Sequence, residues 1–147
     1  MIGLIQRVTE AKVVVNGESI GEIQQGVLAF IGIEKEDTKD QALRLIEKIL
    51  SYRIFADVDD KMNLSVKDIN GGLLLVPQFT LAADTQKGSR PGFSSAASPE
   101  KAENLFNEFV TQASNKYKIV QAGQFGADMK VSLLNDGPVT FWLQVKK

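Results

Sequence analysis

The chain has 147 residues, no histidine and no cysteine, with a formal net charge of −1 and a pI of about 5.5. Without histidine or cysteine the sequence excludes disulfides, thiolate chemistry and every catalytic device built on a histidine, and we expect neither a metal nor a cofactor. No apolar run reaches the roughly 20 residues of a membrane helix and residues 1–7 lack a signal-peptide pattern, so we expect one cytoplasmic domain over residues 1–147, without a membrane partner.

The beginning of the chain predicts strands joined by a tight turn. Residues 2–8 have the composition of a strand, and Asn16-Gly17, a strong hairpin signal, separates two further strands at 12–15 and 18–23. The near-continuous apolar run 26–33 is typical of a strand that is buried on both faces.

A helix is predicted next. Asp37 or Thr38 is placed to cap a helix that runs to about Tyr52, and its apolar residues recur at helical spacing on one face. Residues 57–63 are polar and predict a loop. After a glycine-containing turn, the apolar residues 73–79 predict another strand.

The second half predicts a long loop, a helix and more strands. Residues 84–98 are rich in Gly, Ser and Pro, and loops of this length in a small domain are often functional. Ser98 is a good N-cap for a second helix that has Pro99 at its first position. Further strands are predicted at 119–124, 129–134 and 139–145. This order predicts a single-domain α+β fold, with a mixed sheet and two main helices packed on its faces.

Two polar residues, Gln78 and Thr80, interrupt the apolar run at the end of the strand 73–79. Spacing alone favours strand alternation, with Phe79 and Leu81 facing the core and the two polar side chains facing water. The alternative is a substrate pocket, in which backbone N–H groups at the strand end stabilise a developing oxyanion.

The long loop carries two cations, Lys87 and Arg90, followed by the aromatic ring of Phe93. One interpretation is a solvated loop with a packed ring. The other is contact with a nucleic acid, in which the cations bind phosphates and the ring packs on a base or ribose. Because the net charge is −1, such contact would be local, at one end of the ligand.

Two turns complete the pattern. Residues 123–129 predict a turn or bulge between strands, and Asn135-Asp136-Gly137-Pro138 is a turn by composition. Trans is the default for the bond before Pro138, since only about 5–6% of X-Pro bonds in folded proteins are cis. Neither turn indicates an activity by itself.

Several segments, taken in this order, make the chain similar to the D-aminoacyl-tRNA deacylase family almost from end to end. The resemblance rests on Ile5-Gln6-Arg7-Val8, Arg53-Ile54-Phe55, Lys61 to Ser65, Gln78 to Leu81, Lys87-Gly88 with Arg90-Pro91, Phe125 to Met129 and Asn135 to Thr140. Each segment is weak alone, and their common order makes the match specific.

This resemblance implies a homodimer with a β-barrel-like core. Its substrate would be tRNA that carries a D-amino acid at its 3′ end, or glycine mischarged on tRNA(Ala), and its reaction would be hydrolysis of that ester. The catalytic segment would be Gln78, Phe79 and Thr80. Phe125 and Met129 would belong to the substrate pocket. Lys87 and Arg90 would bind the tRNA.

The resemblance also implies a device for stereochemical selection. The Gly137–Pro138 bond would be cis and would reach from one subunit into the pocket of the other. There its carbonyl groups would crowd out an L side chain. Rejection by a rigid clash is simpler to build than selective attraction of a D side chain.

The chain departs from the family at two positions. Pro77 stands where the family usually has serine, and a proline offers neither a hydroxyl nor an N–H, so we assign Pro77 no catalytic role. Gly92 also replaces a usual serine, which makes the long loop more flexible and removes a possible phosphate donor.

Thr80 is an obvious candidate nucleophile, but a threonine hydroxyl needs an adjacent general base. The chain has no histidine, and the nearest carboxylate in sequence is Asp84. We therefore favour substrate-assisted hydrolysis, in which the 2′-hydroxyl of the terminal ribose helps to activate water or to stabilise the leaving oxygen. The N–H groups of Phe79 and Thr80 are the candidates for the oxyanion site.

Two other classes of function stay open. One is a non-catalytic module of the same fold that binds RNA ends, and the other is a purely structural homodimer. The segment Gln78–Thr80 and the pair Gly137-Pro138 favour the enzyme.

Overall fold

The computed structural model describes residues 1–147. Two α-helices, α1 (Lys39–Ser51) and α2 (Pro99–Lys116), accompany a short 3-10 helix, Phe79–Ala82. The strands are β1 (Ile2–Val15), β2 (Glu18–Ile23), β3 (Gly26–Gly32), β4 (Phe55–Ala56), β5 (Met62–Leu64), β6 (Gly72–Pro77), β7 (Val120–Ala122) and β8 (Lys130–Gln144). Neither α-helix combines the length and the apolar character that crossing a membrane would require.

One mixed sheet organises the molecule. Its order is β2-β1-β3-β6-β7, and β8 lies along β1 for most of the length of both strands. The β3–β6 and β6–β7 pairs are parallel, and the other pairs are antiparallel. The predicted α+β fold, a mixed sheet with two main helices packed on it, is confirmed; β4 and β5 form a separate two-stranded sheet.

The hairpin between β1 and β2 follows the sequence signal directly. Asn16 and Gly17 both have positive φ, at 49° and 79°, as the tight turn of a two-residue hairpin requires. The separately predicted strands 2–8 and 12–15 are one continuous strand, which pairs with β8 from Ile2 to Val14.

Both helices begin where their capping residues predict. Thr38, rather than Asp37, precedes α1, and its N–H donates to Gln41 Oε1 at 2.7 Å. Asp37 is buried and instead accepts a hydrogen bond from the Met1 ammonium at 2.7 Å. Ser98 Oγ accepts from the N–H of Lys101 at the start of α2.

The larger of two apolar clusters lies between the helices and the sheet. A cluster of 23 buried apolar residues joins the inner faces of α1 and α2 to β1, β3 and β6. Phe106 and Phe109 of α2 are almost completely buried there, and burial of such a side chain stabilises the fold by about 1.5–3 kcal/mol. This packing fixes the carboxyl end of β6, where the candidate site begins.

Three further predictions differ from the observed elements. The loop predicted at 57–63 forms the turn and part of one strand of a small hairpin, β4–β5. The carboxylate of Asp57 organises this turn, because it accepts hydrogen bonds from the N–H groups of Asp59 and Lys61 and from Asn63 Nδ2. The strand predicted at 73–79 ends at Pro77. The strands predicted at 129–134 and 139–145 are one interrupted strand, β8.

Candidate active site

The site begins where β6 stops. The last sheet contact along this edge is the hydrogen bond from the N–H of Gln78 to the carbonyl of Ile31, at 2.8 Å. The chain then turns into the 3-10 helix, so strand alternation does not continue through residue 79. The interpretation that placed Phe79 in the core is therefore wrong, and its side chain is 56% exposed.

The amino end of the 3-10 helix is open. No side chain caps it, and the N–H groups of Phe79 and Thr80 have no acceptor within the helix because they belong to its first turn. The side chain of Gln78 donates from Nε2 to Thr80 Oγ1 at 2.5 Å. Gln78 therefore orients the hydroxyl of Thr80 but does not act on that hydroxyl as a general base.

A cavity of about 480 Å³ opens beside this helix end. Four of the residues predicted for the site line it: Gln78, Phe79, Phe125 and Met129. Its other lining residues are Val76, Pro77, Ala97, Pro99, Ala102, Gly126, Ala127, Asp128 and Val131. Thr80 does not line the cavity, but its hydroxyl is hydrogen-bonded to the side chain of Gln78, which does.

The far wall of the cavity is the connection between β7 and β8, which the sequence predicted as a turn. The N–H of Gln124 points at Met129 Sδ at 3.4 Å, which holds the thioether against the turn. A Cβ atom at Gly123 would lie 2.8 Å from that sulfur, so the absence of a side chain there makes room for Met129. Asp128, the only charged lining residue, lies 3.2 Å from Lys130 Nζ.

A second cavity, of about 470 Å³, lies near the amino ends of α1 and α2. Only one of its seven lining residues, Leu105, is hydrophobic. The cavity at Gln78 has eight hydrophobic residues among thirteen. Ligand pockets are usually apolar clefts with a few convergent polar groups, so the cavity at Gln78 is the better candidate. No group of three or more acidic residues is placed to hold a metal ion.

The long loop that follows the 3-10 helix is closed at its base by backbone pairing. Asp84 and Gly92 exchange both backbone hydrogen bonds, at 2.7 and 2.9 Å, and so hold the two ends of the loop together. Lys87 and Arg90 are exposed between these ends and do not line the cavity. Phe93 packs against Phe79 with 5.3 Å between ring centroids, so the loop is joined to the cavity wall through this aromatic pair.

Gly137 and Pro138 lie elsewhere. Both are exposed on β8, and neither lines the cavity at Gln78 within the same chain. Their peptide bond is cis, whereas composition alone gave trans as the default. A single chain therefore does not bring this pair together with Gln78–Thr80.

Arg7 supports the segment that carries this pair, and sequence reasoning assigned it no role. Its Nε donates to the carbonyl of Asp136 at 2.9 Å, and its Nη1 donates to the carbonyl of Ile54 at 2.8 Å. The side chain is only 15% exposed. The available signal was a cation within an otherwise mostly apolar strand. A largely buried arginine needs hydrogen-bond acceptors, so its position pointed to polar partners elsewhere in the fold.

The family model described as D-Tyr-tRNA(Tyr) deacylase matches residues 4–144. The chain belongs to the D-aminoacyl-tRNA deacylase family. A relative from Proteus mirabilis, named D-aminoacyl-tRNA deacylase, is 59% identical over 99% of this chain and all of its own length. A D-aminoacyl-tRNA deacylase of Haemophilus influenzae has the same identity and the same coverage.

Two solved structures are similar to this member of the family. One, titled c-Myc DNA Unwinding Element Binding Protein, has a TM-score of 0.95 and 39% identity over the whole of both chains. The other, titled as a probable eukaryotic D-amino acid tRNA deacylase, has a TM-score of 0.85 over 98% of both chains. Its identity is 16%, so it supports the fold alone.

Proposed function

We propose that this member of the family hydrolyses the ester bond between a D-amino acid and the 3′ end of its tRNA. The observation that carries the proposal is the position of Gln78 and Phe79, which lie in a family-matching segment and form one wall of the apolar cavity. The cavity has the volume of a small-ligand pocket. An amino acid esterified to a ribose fits such a space.

Because water is the nucleophile in this hydrolysis, the reaction needs an oxyanion site more than it needs a nucleophilic side chain. The carbonyl oxygen of the ester gains negative charge when water attacks, and N–H donors that are already oriented stabilise that charge. The N–H groups of Phe79 and Thr80, at the open end of the 3-10 helix, are the candidates.

Thr80 is a positioning group in this proposal. Its oxygen accepts a hydrogen bond from Gln78, and an amide cannot act as a general base toward it. The vicinal 2′-hydroxyl of the substrate helps to activate water or to stabilise the leaving oxygen, and the protein supplies orientation.

The proposal is tested by mixing the protein with D-tyrosyl-tRNA and L-tyrosyl-tRNA and measuring free tyrosine. We expect release from the D substrate only. Thr80→Ala should keep most of that activity, whereas a D-substrate that ends in 2′-deoxyadenosine should be cleaved much more slowly. Loss of activity in Thr80→Ala, with normal cleavage of the deoxy substrate, would show that substrate assistance is wrong.

Selection against L substrates is proposed to come from Gly137 and Pro138 of a second subunit. This pair is exposed and lies outside its own chain's cavity. Leu134, Phe141 and Trp142 of the same strand expose 57%, 36% and 55% of their surface. Exposed apolar residues concentrated on one element are typical of an interaction surface, and here we propose that a second copy covers them. Light scattering should give a mass close to twice that of one chain.

The remaining contacts with tRNA are proposed to be local. Lys87 and Arg90, exposed on the loop closed by Asp84 and Gly92, would bind phosphates near the 3′ end, and the Phe79–Phe93 pair offers a surface for a base. A pocket that distinguishes substrates by backbone atoms should accept many D-amino acids and also glycine on tRNA(Ala). Such a reaction is expected in the cytoplasm.

A non-catalytic module that binds the end of a nucleic acid is the second candidate. One similar structure carries a title that names DNA-element binding, at 39% identity. The same assay separates the two candidates, since binding of D-tyrosyl-tRNA without release of tyrosine would favour the module.

A further inference from the structure

The segment 136–139 forms a bulge that protrudes from strand β8. Gln6 of β1 pairs with Thr140, and Val8 pairs with Asn135. One residue of β1 separates these two pairs, whereas four residues of β8, 136–139, separate them. Three residues of β8 therefore have no counterpart on β1, and the chain must leave the sheet between Asn135 and Thr140.

Side chains close the neck of this bulge. Asn135 Oδ1 accepts a hydrogen bond from the N–H of Val139 at 2.9 Å, and Asn135 Nδ2 donates to Thr140 Oγ1 at 2.9 Å. Gln6 Nε2 also donates to Thr140 Oγ1, at 3.3 Å. The amide of Asn135 thus takes the place of the missing strand partner, with its oxygen and its nitrogen both used.

One residue of the bulge, Val139, is anchored in the apolar core. Val139 is 8% exposed and belongs to the main apolar cluster, so its backbone cannot move without disturbing the packing. Gly137 and Pro138 are exposed at the outer end of the same bulge. Any rotation of the bulge about its neck would move these two residues the most.

We propose that Asn135 and Thr140 form a clasp that fixes the direction in which Gly137 and Pro138 project, and that both are positioning residues for the rejection of L substrates. The hydrogen bonds of the neck support the existence of the clasp, and its effect on L substrates rests on the proposed function. A clash rejects an L side chain only if the clashing atoms cannot yield. A loosened bulge would admit L substrates while the cavity that binds the D substrate stays intact.

Three variants separate the clasp from a general contribution to stability. Asn135→Ala removes both bonds of the amide. Thr140→Val keeps the shape of the side chain and the Asn135–Val139 bond, but it removes the acceptor. Thr140→Ser keeps the hydroxyl and is the matched control. Each is measured for hydrolysis of D-tyrosyl-tRNA and L-tyrosyl-tRNA, for its unfolding midpoint, and for amide exchange at Val139 by NMR.

We expect the ratio of L to D hydrolysis, as kcat/KM, to rise by roughly three- to tenfold for each hydrogen bond lost, which is the range that a net hydrogen bond supports. Exchange at Val139 should accelerate in Asn135→Ala, and Thr140→Ser should resemble the wild type in every measurement. Hydrolysis of the D substrate should change little.

Two results would overturn the inference. Unchanged exchange at Val139 in Asn135→Ala would show that the amide does not hold the bulge. Faster exchange with an unchanged L to D ratio would show that the clasp has no part in selection. If the wild-type protein hydrolysed both substrates alike, the proposed selectivity would be wrong, and exchange at Val139 would still decide whether the clasp exists.

Discussion

At the scale of single residues, Arg7 joins parts of the chain that are far apart in sequence. Its guanidinium binds the carbonyl of Asp136 in the bulge and the carbonyl of Ile54 beside the β4–β5 hairpin. Asp136 Oδ2 also lies 3.6 Å from Arg7 Nε. A planar cation with five N–H donors can satisfy both carbonyls at once, and a lysine cannot reproduce that geometry.

Replacement of Arg7 by methionine tests this link. The variant keeps much of the apolar stem and leaves two carbonyl groups without their charged donor, so we expect a loss of about 2–3 kcal/mol in the free energy of unfolding. Urea denaturation measures it. Arg53→Met is the control, because Arg53 is exposed and surface substitutions usually change stability by less than about 0.5 kcal/mol. Equal losses in the two variants would contradict the assigned role.

At the scale of elements, the sheet ends are shaped by local sequence. Pro77 lacks an N–H and lies at the last position of β6, where the sheet gives way to the 3-10 helix. The β1–β2 hairpin likewise depends on its local sequence, because its turn consists of two residues that both have positive φ. The end of β6 at Pro77 opens the candidate site, and the tight turn sets the pairing of β1 with β2.

The hairpin supports a clean prediction. Gly17 has φ of 79°, and nothing lies within 4 Å of the place where a Cβ would be, so Gly17→Ala should cost about 1–2 kcal/mol from backbone conformation alone. Gly17→Asn should cost less, since asparagine tolerates this conformation better. Thermal unfolding of both variants measures the difference. Identical midpoints for wild type and Gly17→Ala would show that the turn is not strained.

At the scale of the whole molecule, the first and last strands meet at one charged cluster. The Met1 ammonium donates to Glu34 at 2.9 Å, to Asp37 at 2.7 Å and to the carbonyl of Val145 at 2.7 Å, in a buried position. Gln144 Nε2 donates to both carboxylate oxygens of Glu34. The cluster ties β1 and β8 to the segment that leads into α1.

The cluster predicts how stability depends on pH. Burial acts to raise the pKa of the Glu34 carboxyl, but hydrogen bonds from the Met1 ammonium and from Gln144 outweigh it, so the pKa is lowered. A carboxyl with a lowered pKa in the folded state binds fewer protons than in the unfolded state. Its contribution is therefore present above the unfolded pKa of about 4.3 and is lost as the pH falls through the folded value.

Glu34→Gln should remove this part of the acid sensitivity. We expect the variant to be less stable than the wild type at pH 7 and the two stabilities to converge as the pH falls below about 4.3. Chemical denaturation at a series of pH values measures it. Glu36→Gln, at an exposed neighbouring position, is the control and should follow the wild-type curve. Parallel curves for Glu34→Gln and wild type would contradict the prediction.

Local signals predicted much of the fold. Asn16-Gly17 defined a hairpin, the pair Asp37-Thr38 and the residue Ser98 marked two helix starts, and the apolar run 26–33 indicated the buried strand β3. These features depend on interactions among neighbouring residues, so they can be read without knowing the rest of the chain. The same logic predicted that 123–129 is a turn, although not that it forms the wall of a cavity.

The candidate site depended on contacts that no local pattern contains. Spacing placed Phe79 in the core, whereas the end of the sheet at Pro77 turns it outward toward the cavity. Arg7 drew no functional prediction, because its partners Asp136 and Ile54 are distant in sequence. The sequence by itself determined most of the elements and, through its ordered segments, the family and four of the residues that line the cavity. Only the tertiary structure decided that Thr80 does not line this cavity, which other residues complete its wall and how the bulge at 136–139 is held, because those depend on long-range strand register.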